Sequence, residues 1–123
     1  MQKSITINST DVINNKLMVE ANVSIKGLIP GEQMLADSDH FSFIYLLEKA
    51  NEYTYLVLPE AIWPALKEVI KQNLPVIITF NEDQLELTNF KEELEYLISN
   101  IKGNGNYGEE MVEKVETLFI SDL

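Results

Sequence analysis

The chain has no cysteine, no arginine and only one histidine among its 123 residues. Without cysteine there is no disulfide, no thiolate nucleophile and no Cys-based metal site. Without arginine the usual bidentate clamp for phosphate or carboxylate is missing. A Ser-His-Asp triad would have to use His40, and its neighbours Ser38 and Asp39 are too close in sequence to supply that geometry. No apolar run reaches the roughly 18 residues of a membrane span. The opening MQKSITINST lacks the apolar region of a signal peptide. A cytoplasmic protein is the expectation.

Positive charge is also scarce. Nine Lys face 20 Asp and Glu, a formal net charge of −11. Residues 81–123 hold 11 acids against three Lys, a net of −8, and residues 1–80 hold nine against six, a net of −3. Nucleic-acid binders replace counterions with a basic footprint, and anionic membranes also attract cations. This balance predicts neither nucleic acid nor membrane as partner. It favours solubility and a basic protein partner.

The hydrophobic fraction, 46%, is that of a folded chain, and the length predicts one domain over residues 1–123. Ile5 and Ile7 alternate with polar residues. Leu17, Val19, Ala21, Val23 and Ile25 continue the period of two, as one long strand or one bent midway, with Asn14-Asn15 as the turn between. Pro30-Gly31 reads as the next turn. The run from Phe41 to Leu47 and the run from Tyr53 to Leu58 read as a hairpin joined at Ala50-Asn51-Glu52. A helical period follows from Trp63, with Pro64 in its first turn. Val76 to Phe80 and Leu85 to Leu87 form a late hairpin. Phe90, Leu94, Leu97, Ile98 and Ile101 define an apolar helical stripe, with Asn89 and Glu92 as a capping box. Met111, Val115, Leu118 and Phe119 define another. The predicted class is α+β: a mostly antiparallel sheet of about six or seven strands with three helices, two of them C-terminal.

Two short stretches invite chemistry. KGNGNYGEE, residues 102–110, has the G-x-G-x-x-G spacing of a dinucleotide loop at Gly103, Gly105 and Gly108. That loop needs a strand before it and an acidic ribose ligand about 20 residues later. Here a helix precedes it, and Glu109 and Glu110 would repel a phosphate. The structural reading is a helix–turn–helix connection: Gly103 ends one helix, Asn106 caps the next, and Glu109 and Glu110 complement its positive end. DSDH, residues 37–40, offers two carboxylates and an imidazole. As a strand it would place Asp37 and Asp39 on one side, yet the spacing is not that of an EF-hand. A solvated turn with Asx-type hydrogen bonds is the preferred reading. Trp63, Tyr53 and Tyr55 are read as core before they are read as a pocket.

IKGL (25–28), DSDHFSFIYLLE (37–48), LELTNFKEELEYLISNIKGNGNYGEE (85–110) and VEKVE (112–116) together resemble a family of small, acidic, functionally uncharacterised proteins of bacilli and staphylococci. The resemblance covers roughly residues 25 to 119 and is most specific at NIKGNGNYGEE. It implies a bacterial cytoplasmic protein with no established activity, cofactor or catalytic residues. It also implies Asn where this chain has His40, which further reduces a metal or triad role there.

The predicted function is a non-enzymatic binding or adaptor domain, with no catalytic, metal or cofactor residues assigned. Its contact surface joins Asp37, Ser38 and Asp39 to Asn104, Asn106, Tyr107, Glu109 and Glu110. Tyr107 would be the anchor for a basic protein partner. The alternative is a small metal- or metabolite-binding protein using the Asp37/Asp39 turn. A third expectation is a homodimer formed through an open sheet edge.

Overall fold

A computed structural model describes residues 3–120. In chain order the elements are β1 (Lys3–Thr6), β2 (Thr10–Ile13), β3 (Lys16–Glu20), β4 (Ile29–Asp37), β5 (Ser42–Lys49), β6 (Glu52–Pro59), α1 (Trp63–Gln72), β7 (Val76–Phe80), β8 (Asp83–Glu86), α2 (Phe90–Ile101) and α3 (Glu109–Val115). Short 3-10 turns lie at Glu60–Ile62 and Gly105–Tyr107, and α3 runs on into a π-helical turn, Glu116–Ile120.

The eight strands form two four-stranded sheets, ordered β1-β6-β5-β4 and β2-β3-β7-β8. This corrects the single, mostly antiparallel sheet of six or seven strands. Each sheet is mixed, because β1 runs parallel to β6 and β3 parallel to β7. The chain changes sheet after β1, after β3 and again through α1. One core lies between: Phe43, Tyr45, Leu47, Leu56 and Leu58 from the first sheet meet Leu17, Val19, Val76 and Ile78 from the second, closed by Trp63, Leu66, Leu94, Ile101, Met111 and Val115 from the helices.

The β5–β6 hairpin forms as its sequence predicts. Ala50 and Asn51 both take positive φ, 53° and 65°, as a two-residue turn matching the strand twist requires. Asn14 and Asn15 do the same, at 52° and 62°, but they join β2 to β3. The alternation from Leu17 stops as strand at Glu20, after which the segment to Leu28 loops out.

Pro30 and Gly31 lie within β4 and not in a turn. Pairing with β5 slips between Pro30 and Met34, a bulge. β4 is an edge strand, where a missing N–H is tolerated. A Cβ on Gly31 would sit 2.8 Å from the Leu46 carbonyl oxygen, so this close backbone approach needs glycine. α2 covers the edge, and the Met34 N–H donates to Glu93 Oε1 at 3.2 Å.

Asn89 precedes α2 but does not cap it with its side chain. It takes the left-handed conformation, φ 61°, so its side chain is not placed to complete the expected box.

Candidate functional site: an acidic groove between α1 and α3

DSDH is the turn between β4 and β5. Asp37 ends β4 and binds its own loop: Oδ1 accepts from the His40 N–H at 3.3 Å, and Oδ2 lies 2.8 Å from His40 Nδ1. The Ser42 hydroxyl donates to the His40 carbonyl at 3.0 Å. Asp39 lies in the turn itself, so the premise that strand alternation aligns it with Asp37 does not hold. Among the described residues no three of His, Cys, Asp and Glu are grouped as a metal site would need.

Phe41 leaves this turn with φ 46°. Bulky residues rarely adopt that conformation, and when they do the surroundings must hold it there. Here Lys114 Nζ lies 5.0 Å above the ring centroid and also 3.1 Å from Glu60 Oε2. Lys114 therefore ties the β4–β5 turn to α3 and to the segment leading into α1. Such exposed contacts fix geometry more than they add stability.

In the 102–110 connection the hub is Asn104. Its Oδ1 accepts from the Asn106 N–H at 3.0 Å, and its Nδ2 donates to the Asn100 carbonyl at 3.2 Å. Asn106 lies inside the 3-10 turn and does not cap α3, which starts directly after Gly108, φ 92°. The intervening 3-10 turn, invisible to a simple cap pattern, shifts the start of α3. Gly103 takes φ 65°, as its helix-ending role predicts. Its N–H donates to Glu116 Oε2 at 2.7 Å, a contact across 13 residues with no local sequence signal. A Cβ at Gly103, Gly105 or Gly108 would meet nothing within 4 Å. The three glycines serve the turn and do not make room for a packed neighbour. Tyr107 is half-buried against the core, a lid on the turn more than an exposed anchor.

Glu109 and Glu110 face different surroundings. Glu109 lines a shallow depression with Glu113 and Glu116. Glu110 lines a groove of about 490 Å³ between the start of α1 and α3. Trp63, Pro64 and Leu118 give this groove an apolar floor, while Glu60, Glu110 and Glu113 rim it, with Lys114 as the single cation among the described residues that line it. The floor is rigid. Trp63 stacks on Phe43 with centroids 4.5 Å apart, Phe119 packs 6.0 Å from the indole, and the indole N–H donates to the Leu58 carbonyl at 3.1 Å. Of the residues chosen from sequence, the structure brings Glu110 into the groove and sets the Asp37–Asp39 turn beside it through Phe41 and Lys114. Asn104, Asn106 and Tyr107 belong to the connection behind α3. Glu60, Trp63, Glu113 and Lys114 were missed, because only the tertiary fold brings the start of α1 to α3.

Comparison with known proteins fits this picture of a conserved domain without assigned chemistry. The sequence pattern of UPF0738, a family of unknown function, matches residues 5–119. The chain belongs to the UPF0738 family. The match begins well before residue 25, so β1 to β3 are also part of the shared domain. The UPF0738 protein YjbL of Bacillus subtilis is 50% identical over 91 residues, covering 74% of this chain and 75% of the relative. A UPF0738 protein of Bacillus licheniformis is 41% identical over 121 residues, covering 98% of this chain and all of the relative. One from Bacillus cytotoxicus is 40% identical over 123 residues, with the same coverage. No solved structure matches. Among the described residues no helix is long and apolar enough to cross a membrane.

Proposed function

We propose that this UPF0738 domain is a non-enzymatic, cytoplasmic protein-binding module that takes a basic segment of a partner along the α1–α3 groove. The observation that carries this reading is the groove itself: an apolar floor of Trp63, Pro64 and Leu118 under a rim of Glu60, Glu110 and Glu113. Apolar surface supplies affinity, and an acidic rim supplies steering and selectivity for cations. Asp37 and Asp39 extend the acidic field beyond Phe41. The strained φ of Phe41 supports a role for this region, since such strain concentrates at binding and switch sites. The test is capture from Bacillus lysate with wild type and with a Glu110→Lys/Glu113→Lys variant, followed by binding of the purified partner. A partner that loses affinity for the variant, and for wild type as salt is raised, upholds the reading. A partner bound equally by both, or insensitive to salt, overturns it.

A second reading, self-association, rests on the outer face of the first sheet. Phe43, Tyr45 and Leu47 point to the core, so Ile44 and Leu46 alternate to the other side, where they are themselves buried at 7% and 5% exposed, and the open apolar surface is that of the residues around them. Cross-strand partners Leu35, Val57 and Tyr55 extend this apolar face, with Leu35 42% exposed and Ile29 58% exposed. A second copy is the occupant this face suits, beside the sheet-edge dimer expected from sequence, for which β1, β2 and β8 stand at sheet edges. A self-complementary apolar sheet face needs no charge partner, and β4's edge is already covered by α2.

A further inference from the structure

Lysine is scarce in this chain, yet three of its nine lysines converge on one cavity. Lys3, Lys26 and Lys49 line it together with the hydroxyl residues Ser4, Ser24 and Thr54, in a volume of about 330 Å³. Ile5 and Leu28 give it a buried apolar wall. Among the described residues no carboxylate lines it, although acids outnumber lysines by 20 to nine in the chain. Glu52 faces Lys49 across the hairpin end, and Glu82 and Asp83 share a neighbouring depression with Lys26.

The convergence is built by the backbone. The loop from β3 to β4 is pinned where Ser24 Oγ accepts from the Lys26 N–H at 3.2 Å and where the Leu28 N–H donates to the Ile25 carbonyl at 3.2 Å. Gly27 closes that turn with φ 81°, and a Cβ there would stand 3.1 Å from Lys49 Cε. Glycine supplies both the conformation and the close approach, so the loop lies directly on the Lys49 side chain and sets Lys26 next to it. Lys3 enters from β1, whose Cα register places it beside Thr54 of β6.

Lysine acts on phosphate as a point charge, without the fork geometry that arginine would add. The volume is at the small end of the range for small-molecule sites, about 300–1,000 Å³. Three positive charges match a multiply charged anion better than a monocarboxylate, and the apolar wall accommodates a short organic body. We propose that this cavity binds a small phosphate-bearing anion. The site is separate from the acidic groove and does not depend on it.

The test is an amide-resolved NMR titration of the full chain with inorganic phosphate, pyrophosphate and glycerol phosphate, each against acetate at matched ionic strength. Saturable shifts of Ser4, Ser24, Lys26, Gly27 and Thr54 are expected with the phosphates and not with acetate. Tighter binding of glycerol phosphate would make an organic phosphate the ligand, and tighter binding of the inorganic ions would make it a free anion. Each charge-assisted hydrogen bond lost in Lys26→Gln/Lys49→Gln should lower affinity about tenfold or more. Lys16→Gln/Lys102→Gln removes the same net charge outside the cavity and should leave affinity unchanged. Shifts that never saturate, that acetate reproduces, or that the control pair abolishes equally would overturn the proposal. All four lysines are exposed, so both variants should fold, and an unchanged melting temperature would check this.

Discussion

Tyr45 sits at the centre of β5, fully buried, with Met34 and Leu56 as its strand partners. Its hydroxyl donates to the Thr88 carbonyl at 2.7 Å, and its ring stacks on Phe90 at 5.6 Å. Burial pushes its pKa up from 10.0 to about 12, and the carboxylates of Glu32 and Glu93 push in the same direction. The folded chain therefore holds the phenol proton more tightly than the unfolded chain. Between those two values the native state binds more protons, and stability falls as pH rises. The contribution is complete below about pH 10 and is lost as pH passes through about 12. At about 1.4 kcal/mol per pH unit it amounts to about 3 kcal/mol, a substantial share of the roughly 6–18 kcal/mol expected for a domain of this length.

The assay is the urea midpoint across this alkaline range for wild type and Tyr45→Phe. At neutral pH the variant should be weaker by about 1 kcal/mol, the net worth of the lost hydrogen bond. Lysine titration and general alkaline repulsion act on both proteins and cancel in the difference. The wild-type advantage should shrink above pH 10 and reverse at about pH 11, where the roughly 1.4 kcal/mol lost per pH unit exceeds the value of the hydrogen bond, because a phenylalanine has no proton to lose. Parallel curves across this range would show that Tyr45 is not the buried acid described here and would refute the reasoning.

Self-association across the outer sheet face should strengthen with salt, because each copy carries −11 and screening removes their repulsion. Light scattering over a salt series, with Leu35→Lys as the disrupting variant, tests this, and a monomer at every salt concentration would sink it. Trp63→Phe keeps an aromatic ring on Phe43 but removes the indole N–H from the Leu58 carbonyl. The lost hydrogen bond and ring volume should cost about 2 kcal/mol, or about 5–8 °C in melting temperature for a chain of this size. Circular dichroism is the readout, since the variant has no tryptophan, and a change under about 0.5 kcal/mol would show that this bond is unimportant.

The parts of the fold that could be read from sequence are those set by local pattern. β5 and β6 alternate clearly and flank a two-residue turn, and α1 and α2 carry continuous apolar stripes. β2 has no such signal, because Val12 and Ile13 are both 47% exposed. The parallel pairs β1–β6 and β3–β7 join segments 51 and 59 residues apart in sequence, which no local period can encode. Asparagine misled twice, for two reasons. Asn89 takes the left-handed backbone that asparagine favours, one of six asparagines among the nine described non-glycine residues with positive φ, whereas Asn106 lies inside a 3-10 turn ahead of the helix it was expected to cap. At the groove, Glu110 was visible as an acidic helix start. Glu60, Trp63 and Lys114 had no common pattern until α1 and α3 were packed together.

The groove and the lysine cavity occupy opposite ends of the same two strands. Glu60 follows the end of β6 and Phe41 precedes β5, whereas Lys49 ends β5 and Thr54 stands near the start of β6. Eight residues of strand at about 3.3 Å each separate them by roughly 25 Å, about three Debye lengths at physiological salt. A bound phosphate therefore changes the potential at the groove very little. Any coupling would have to be mechanical, through β5 and β6, whose inward side chains from Phe43 to Leu58 are locked in the core. The two surfaces should behave as independent sites, so Lys26→Gln/Lys49→Gln should leave partner binding intact and Glu110→Lys/Glu113→Lys should leave phosphate binding intact. If one pair of variants disturbs both, the strands between them are transmitting a change of structure, and the domain links a small anion to a protein partner.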